Sequence, residues 1–366
     1  MLPPEWLQAA LDPPRALGEP LGVGRIRVRP EDFLVDEILG FQPSGAGPHV
    51  LLRVKKWGAN TEWVARELAQ RACCRSFDVG FAGLKDRHAV TTQHFTVPRG
   101  RAAPESWLDA AGEGYQVLEA TAHHRKLPRG ALAGNRFDLW VRDLRGANGG
   151  AVTGAALAAR IAALKLQGVP NYFGPQRFGR DGSNLRSIAA GELTSDRSGR
   201  GFVLSAARSL IFNAVLGARV GDGSWGQLLP GDAANLNGTG SVFRVAEVDE
   251  TLRARAAALD LHPTGPLCGA SVARESAAGD GARDAALVSG APAQLEARIA
   301  AQFPAARQMI ERAAMKSERR ALRLVAVDLS GALPAPDTLR LCFSLPAGSF
   351  ATTVLRELVS VDSALE

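Results

Sequence analysis

Lysine is scarce in this chain: six lysines stand against 37 arginines in 366 residues. Cysteine is scarcer, and Cys73, Cys74, Cys268 and Cys342 form no C-x-x-C pair. Neither a disulfide framework nor a zinc site is therefore expected. No run of 18 apolar residues occurs, and the alanine-rich stretch 151–166 is interrupted by Arg160 and Lys165, so no membrane span is expected. The opening MLPPEWLQAALDPP carries proline and glutamate where a secretory leader needs a basic region, so no export is expected. Walker A, H-E-x-x-H and G-x-S-x-G patterns are missing. Gly221-Asp-Gly-Ser-Trp-Gly226 matches G-x-G-x-x-G, but it follows a helical stretch and Trp225 is bulky for a pyrophosphate turn, so it reads as a loop. These absences leave a reduced, cytoplasmic globular protein.

The composition, 46% hydrophobic and 22% charged, is globular, and 366 residues suggest two domains. The net charge is +6. The arginine excess suits phosphate and base contacts, because the planar guanidinium donates in pairs. Nucleotide bias in a GC-rich genome accounts for it equally well. The placement of charge is more telling: residues 121–145 hold six basic and two acidic residues, whereas 325–366 carry a net of −3. A polyanion would meet a local face.

The first 150 residues read as short strands. Extended patterns occur at 25–28, 33–35, 49–54, 77–81, 93–97, 115–120 and 137–141, and a helix capped by Asn60 or Thr61 runs through Trp63, Leu68 and Arg71. The strands at 115–120 and 137–141 flank what reads as a basic hairpin. A helix over 151–166 stops at Gly168, with Pro170 beyond it. Residues 171–201 are rich in glycine, arginine and aromatics. Helices are expected over 205–220 and 295–315, and 221–292 is poorly periodic. Strand patterns return at 322–327 and 338–345, and Ser349 caps a closing helix.

Four segments carry candidate chemistry. In the first, an apolar strand ends at Gly83 and is followed by Lys85 and Asp86 on a turn; flanking Lys85 and Arg87 favour the anion that a nucleophile needs. The second is Gly134-Asn-Arg-Phe137, where Asn135 suits a base edge and Phe137 a stacked ring. The third is Asn171-Tyr-Phe-Gly-Pro-Gln-Arg-Phe-Gly179, aromatics interleaved with Arg177. The fourth is Pro346-Ala-Gly-Ser-Phe350, which opens a helix whose free N–H groups favour an anion. Each also has a plain structural reading as a turn, a strand start or a core aromatic.

Taken in order, Gly83-Leu-Lys-Asp-Arg-His-Ala-Val-Thr91, Arg125-Lys-Leu-Pro-Arg-Gly-Ala-Leu-Ala-Gly-Asn-Arg-Phe137, the third and fourth segments, and Pro30-Glu-Asp-Phe-Leu-Val-Asp-Glu37 resemble the tRNA pseudouridine synthase D (TruD) family. The resemblance spans about residues 24–360. It implies an α/β fold with a mixed sheet: a pseudouridine-synthase core formed by 1–167 plus 325–366, an inserted domain at 168–324, and two lobes around a basic cleft. It implies isomerisation of uridine 13 in tRNA, notably glutamate tRNA, without metal or cofactor. Asp86 matches the catalytic aspartate. Phe33, Asn135 and Phe350 match residues lining the uridine site, with Phe137 beside them and Lys85 as the motif's basic neighbour. Arg125, Lys126, Arg129 and Arg177 are the expected RNA backbone contacts. A monomer with tRNA as partner, no membrane and no obligate protein partner is expected. The residues leave open attack at C1′, attack at C6 or a glycal route. A non-catalytic RNA-binding module would explain the arginines but not the Lys85-Asp86 turn, and a glycosidase needs a second carboxylate in register.

Overall fold

The computed structural model describes residues 2–100, 103–108, 110–193, 196–270 and 287–363. In chain order its strands are β1 Gly22–Ile26, β2 Phe33–Leu39, β3 His49–Lys56, β4 Gly80–Phe81, β5 Val90–Pro98, β6 Ala111–Gly112, β7 Tyr115–His123, β8 Leu132–Gly146, β9 Val169–Pro170, β10 Ala233–Leu236, β11 Val242–Arg244, β12 Leu261–Leu267, β13 Glu318–Ala321, β14 Arg323–Leu324, β15 Val327–Ala335, β16 Thr338–Pro346 and β17 Ser360–Ser363. The chain divides into two compact units, each discontinuous. One comprises Pro20–Ile161, Ala326–Gly348 and Leu358–Glu366; the other comprises Met1–Glu19, Ala162–Val325 and Ser349–Glu357.

The first unit is built on a mixed sheet of eleven strands among the described residues, with the path β15-β16-β8-β2-β5-β3-β7-β6. β1 joins β8 and runs parallel to β17; β4 joins β5. The β2–β5 pair is also parallel, and the remaining ladders are antiparallel. Alternation explains β3: Val50, Leu52 and Val54 turn to one face, where α-helix Thr61–Arg71 sets Val64, Ala65 and Leu68 against them. Asn60 occupies the N-cap position with extended φ/ψ, but its side chain makes no cap bond.

Two expectations change here. β7 and β8 do not form a hairpin, because β2, β5 and β3 lie between them in the sheet. Their basic connection crosses the end of β4 instead. Leu127 N donates to Thr96 Oγ1 at 2.8 Å and Gly130 N to Ala82 O at 2.7 Å. A Cβ at Gly80 would stand 2.6 Å from Leu127 O, so the crossing requires glycine there. The strand expected over 77–81 is shortened to β4, because Ser76–Asp78 forms a 3-10 turn closed by Asp78 on the Arg75 N–H.

The second unit packs around the helix Arg197–Gly221, whose Leu210, Ile211, Phe212 and Val215 are fully or almost fully buried with Tyr172, Phe178, Phe303 and Ile310. This helix is long and apolar enough to cross a membrane, but most of its apolar stretch is buried within the protein, as in a core helix. The helix expected over 295–315 is two helices, Gly290–Ala300 and Pro304–Arg312. Pro304 lacks the N–H that would continue the ladder and displaces Phe303 from helical φ/ψ. The poorly periodic region contains the helix Glu250–Ala257 and the strands β10, β11 and β12, which form a sheet with β13 in the order β11-β10-β12-β13, while 271–286 fall outside the described residues. The strand expected over 322–327 separates into β14, paired with β9, and the start of β15, paired with β16.

Candidate active site

In the first unit, register brings the candidates together. β2 lies antiparallel to β8 with Phe33 opposite Leu139, Val35 opposite Phe137 and Glu37 opposite Asn135. β5 runs parallel to β2 with Thr91 beside Val35. Residues paired in register share a face, so Phe33, Glu37, Phe137, Asn135 and Thr91 line the same side of the sheet. Phe33 meets Phe137 edge-on, with centroids 6.4 Å apart, and Phe137 stacks on Phe343 at 5.4 Å. Phe33 and Phe137 are buried.

Asp86 sits in the irregular segment between β4 and β5. Its Oδ2 accepts from Arg27 Nη2 at 2.7 Å, and its Oδ1 accepts from the His88 N–H at 2.9 Å. The second bond is an Asx turn that fixes the carboxylate on its own backbone. The side chain remains one-third exposed (34%), and each oxygen keeps a lone pair free of these two bonds. Arg27 follows β1 with φ +56° and lies over the Phe33 ring at 4.3 Å. Phe33 thus supports the guanidinium that holds Asp86.

The charge partner of Asp86 is not the one read from adjacency. Lys85 turns away, and its Nζ donates to Glu37 Oε2 at 2.8 Å. Glu37 Oε1 accepts from His94 N at 3.0 Å and faces His94 Nδ1 at 3.2 Å. Burial alone would raise the Glu37 carboxyl; the His94 hydrogen bonds and the Lys85 ammonium reverse this and hold it below the usual range. Arg87 is exposed. The Lys85 N–H donates to Thr61 Oγ1, which donates to Gln93 Oε1, and Gln93 Nε2 donates to Gly83 O. The chain leading into Asp86 is therefore tied to the sheet and to the first helix after β3.

Asn135 Oδ1, Thr91 Oγ1 and Arg27 Nε are buried without a hydrogen-bond partner. Folded proteins leave few such atoms; Asn135 and Thr91 share the sheet face of Phe33 and Glu37, Arg27 holds Asp86, and the three suit a ligand edge. The basic crossing lies beside β4. Arg125 is exposed; Lys126 Nζ donates to Phe77 O and lies 4.4 Å from the Phe77 ring centre; Arg129 lies 3.6 Å from the Phe81 ring centre. Phe77 is the most exposed large hydrophobic among the described residues, at 76%. A cavity of about 270 Å3 between Arg71, Arg99 and Trp107 is lined by none of these groups.

Phe350 and Arg177 belong to the second unit. Phe350 is half-buried, edge-on to Phe173 at 5.8 Å, with the Arg177 guanidinium 5.6 Å from its ring centre. Arg177 donates to Ser205 Oγ at 3.0 Å, and burial holds its guanidinium below the usual range. Arg320 lies 4.3 Å over Phe173 and is pushed down to about 10 by burial and by Arg177.

The family model for tRNA pseudouridine synthase D (TruD) matches residues 17–199 and 188–358. The chain belongs to this family. A tRNA pseudouridine synthase D of Methylococcus capsulatus is 46% identical over 355 residues, covering 96% of this chain and 95% of the relative. One of Xanthomonas axonopodis is 43% identical over 370 residues, covering 96% and 95%. The crystal structure of a putative tRNA pseudouridine synthase D from Methanosarcina mazei has the same fold, with a TM-score of 0.68 over 97% of this chain and 98% of that one at 20% identity. Family motifs account for Asp86, Phe33 and Asn135 as candidates, but two groups at the Asp86 turn escape them. Arg27 lies 59 residues before its partner and outside any quoted motif. Lys56 had a signal: it occupies the next position in the apolar series Val50, Leu52, Val54, where a lysine is out of character.

Proposed function

We propose that this chain is a tRNA pseudouridine synthase that isomerises uridine 13, notably in glutamate tRNA, with Asp86 as its catalytic nucleophile. The observation that carries the reading is the Asp86 carboxylate, held by Arg27 and its own turn and partly open to solvent, in a chain of this family. The reaction breaks the N-glycosidic bond between C1′ and N1 and rejoins the base through C5; C5 gives up its proton and N1 takes one up, so the product is an isomer. Asp86 attacks C1′ or C6, or assists a glycal route. Arg27 offsets its charge without occupying the second lone pair. The target base has to leave its stack, at a cost of a few kcal/mol. Asn135 Oδ1 and Thr91 Oγ1 supply acceptors for its edge, Phe33 and Phe137 supply apolar walls, and Phe350 supplies a further aromatic contact to the RNA. Lys85 acts through Glu37 as a support of the turn. Arg125, Lys126, Arg129 and Arg177 are proposed for the RNA backbone, where released counterions favour binding.

Residues 1–167 plus 325–366, which carry the large sheet and Asp86, are the proposed catalytic domain, and residues 168–324 the proposed insertion. The enzyme acts on cytoplasmic tRNA as a monomer and needs no cofactor. The test is pseudouridine mapping on tRNA transcripts incubated with the purified protein, and on tRNA from cells with and without the gene. Product at position 13 is expected, and none when that uridine is replaced by cytidine. Product elsewhere in the transcript would overturn the positional assignment, and no product in any transcript would overturn the activity.

A further inference from the structure

Lys56 closes β3, and its side chain is fully buried. Its Nζ donates to three backbone carbonyl oxygens: Ala59 O at 3.0 Å, Asp86 O at 2.9 Å and Lys85 O at 3.4 Å. An ammonium has three protons, so these bonds use its whole donor capacity. Two of the acceptors belong to the turn that carries Asp86; the third lies three residues beyond Lys56 itself. None is a carboxylate, so no direct ion pair meets this buried charge, and only the Asp86 charge offsets part of the cost. Such a cost is intelligible where the placement of the turn matters. Residues 83–86 have no regular structure of their own, and besides the two Lys56 contacts side chains from outside meet Gly83 O and Lys85 N.

We propose that Lys56 is the positioning residue of the catalytic turn: its ammonium ties the carbonyls of Lys85 and Asp86 to the end of β3 and so sets where the Asp86 carboxylate meets the nucleotide. The inference rests on the pseudouridine synthase reading above. Reaction at a carboxylate is sensitive to its placement, and a misplacement of about 1 Å costs about a hundredfold.

The pH dependence separates positioning from bulk stability. Burial pushes the Lys56 ammonium down to about 8, Asp86 pulling the other way and Lys85 adding to the fall. Those two groups are themselves paired with Arg27 and Glu37. In register, Lys56 stands opposite Thr91 of β5 and Tyr115 of β7. Burial raises the Tyr115 phenol, so it stays neutral through this range. Loss of the Lys56 proton leaves two donors for three carbonyls. The folded-state value lies below the ordinary 10.5, so between these values the unfolded chain binds more protons, and this group makes the fold more stable as pH rises. Turn positioning and stability therefore move in opposite directions.

The experiment measures kcat and KM for pseudouridine formation on a tRNA transcript from pH 6.5 to 9.5, with thermal unfolding at each pH, for the wild type, Lys56→Met and Lys56→Arg. Wild-type kcat is expected to fall several-fold, up to about tenfold, between pH 7.5 and 9 without loss of Tm. Lys56→Met should lower kcat about a hundredfold with KM within about threefold. Lys56→Arg keeps its charge throughout and should recover at least about tenfold over Met with no alkaline fall. A folded Met variant with kcat within about threefold of wild type overturns the proposal, as does a folded Arg variant no better than Met. If the Met protein does not fold, a wild-type kcat that stays flat from pH 7 to 9 overturns it. An inactive wild type overturns both this proposal and the activity it rests on, whereas an active wild type indifferent to Lys56 overturns this one alone.

Discussion

Lys85 and Asp86 are neighbours in the chain and belong to different charge networks: Lys85 Nζ meets Glu37 Oε2 at 2.8 Å, while the Asp86 carboxylate meets Arg27 Nη2 at 2.7 Å. The first pair is buried at the sheet, with side chains 8% and 0% exposed, and the second opens to solvent. The two networks should therefore respond differently to substitution, the buried one through stability with activity following it, the open one through turnover alone.

Replacing Asp86 by Asn keeps shape and hydrogen-bonding size but removes the nucleophile. Pseudouridine formation at saturating enzyme should fall by about three orders of magnitude or more, with tRNA binding within a few-fold of wild type. An Asn variant that keeps more than a few per cent of activity would place the nucleophile elsewhere.

Arg27→Ala removes the partner of Asp86 and uncovers one face of Phe33. A hydrogen bond to a charged group is worth about 1.5–3 kcal/mol, which corresponds to about ten- to 150-fold in turnover, and solvent at this half-open pair places the effect toward the lower end. Arg27→Lys should lose less than Arg27→Ala, because it keeps the charge without the flat guanidinium that lies over Phe33. Steady-state kinetics of the two variants decide it.

Glu37→Gln leaves the Lys85 ammonium buried without its counter-ion. Breaking such a pair costs about 3–5 kcal/mol, so the variant should lose stability in urea and activity together. The sign with pH is fixed: Glu37 is held below its ordinary 4.5, so its contribution is fully present above that value and is lost as pH falls through the folded-state value. Urea titrations between pH 3 and 6 should show a shallower acid decline for Gln than for the wild type.

Arg125→Ala and Lys126→Ala should weaken tRNA binding and flatten the dependence of log Kd on log salt by about one unit per lost phosphate contact. Because Lys126 also lies on Phe77, its loss frees an already exposed ring, and Lys126→Ala should additionally lower solubility. An unchanged salt slope removes this crossing from the RNA interface.

Phe350→Ala should cost about ten- to a hundredfold in tRNA affinity or turnover, since stacking on a base is worth about 1–3 kcal/mol. The ring is half-buried against Phe173, so Tm should fall modestly. A collapse in stability with unaltered RNA affinity would make Phe350 part of the second unit's core.

By itself the sequence determined what is local. Period-two alternation marks β3 and β16, glycine with a following proline marks the end of the helix over Gly154–Gln167, and ordered motifs mark the family and single out Asp86. Pro304 was equally local, and its break in the helix over 295–315 could have been read from proline chemistry. Tertiary structure alone decided which strands become neighbours and which cation meets which carboxylate. The parallel β2–β5 pair and the β3–β5 ladder separate β7 from β8, so a segment with the signature of a hairpin becomes a crossing over β4. Adjacent residues in an irregular turn point apart, so Lys85 finds Glu37, 48 residues back, and Asp86 finds Arg27, 59 residues back. Coulomb attraction acts through space and is indifferent to chain order, and only the folded register sets those distances.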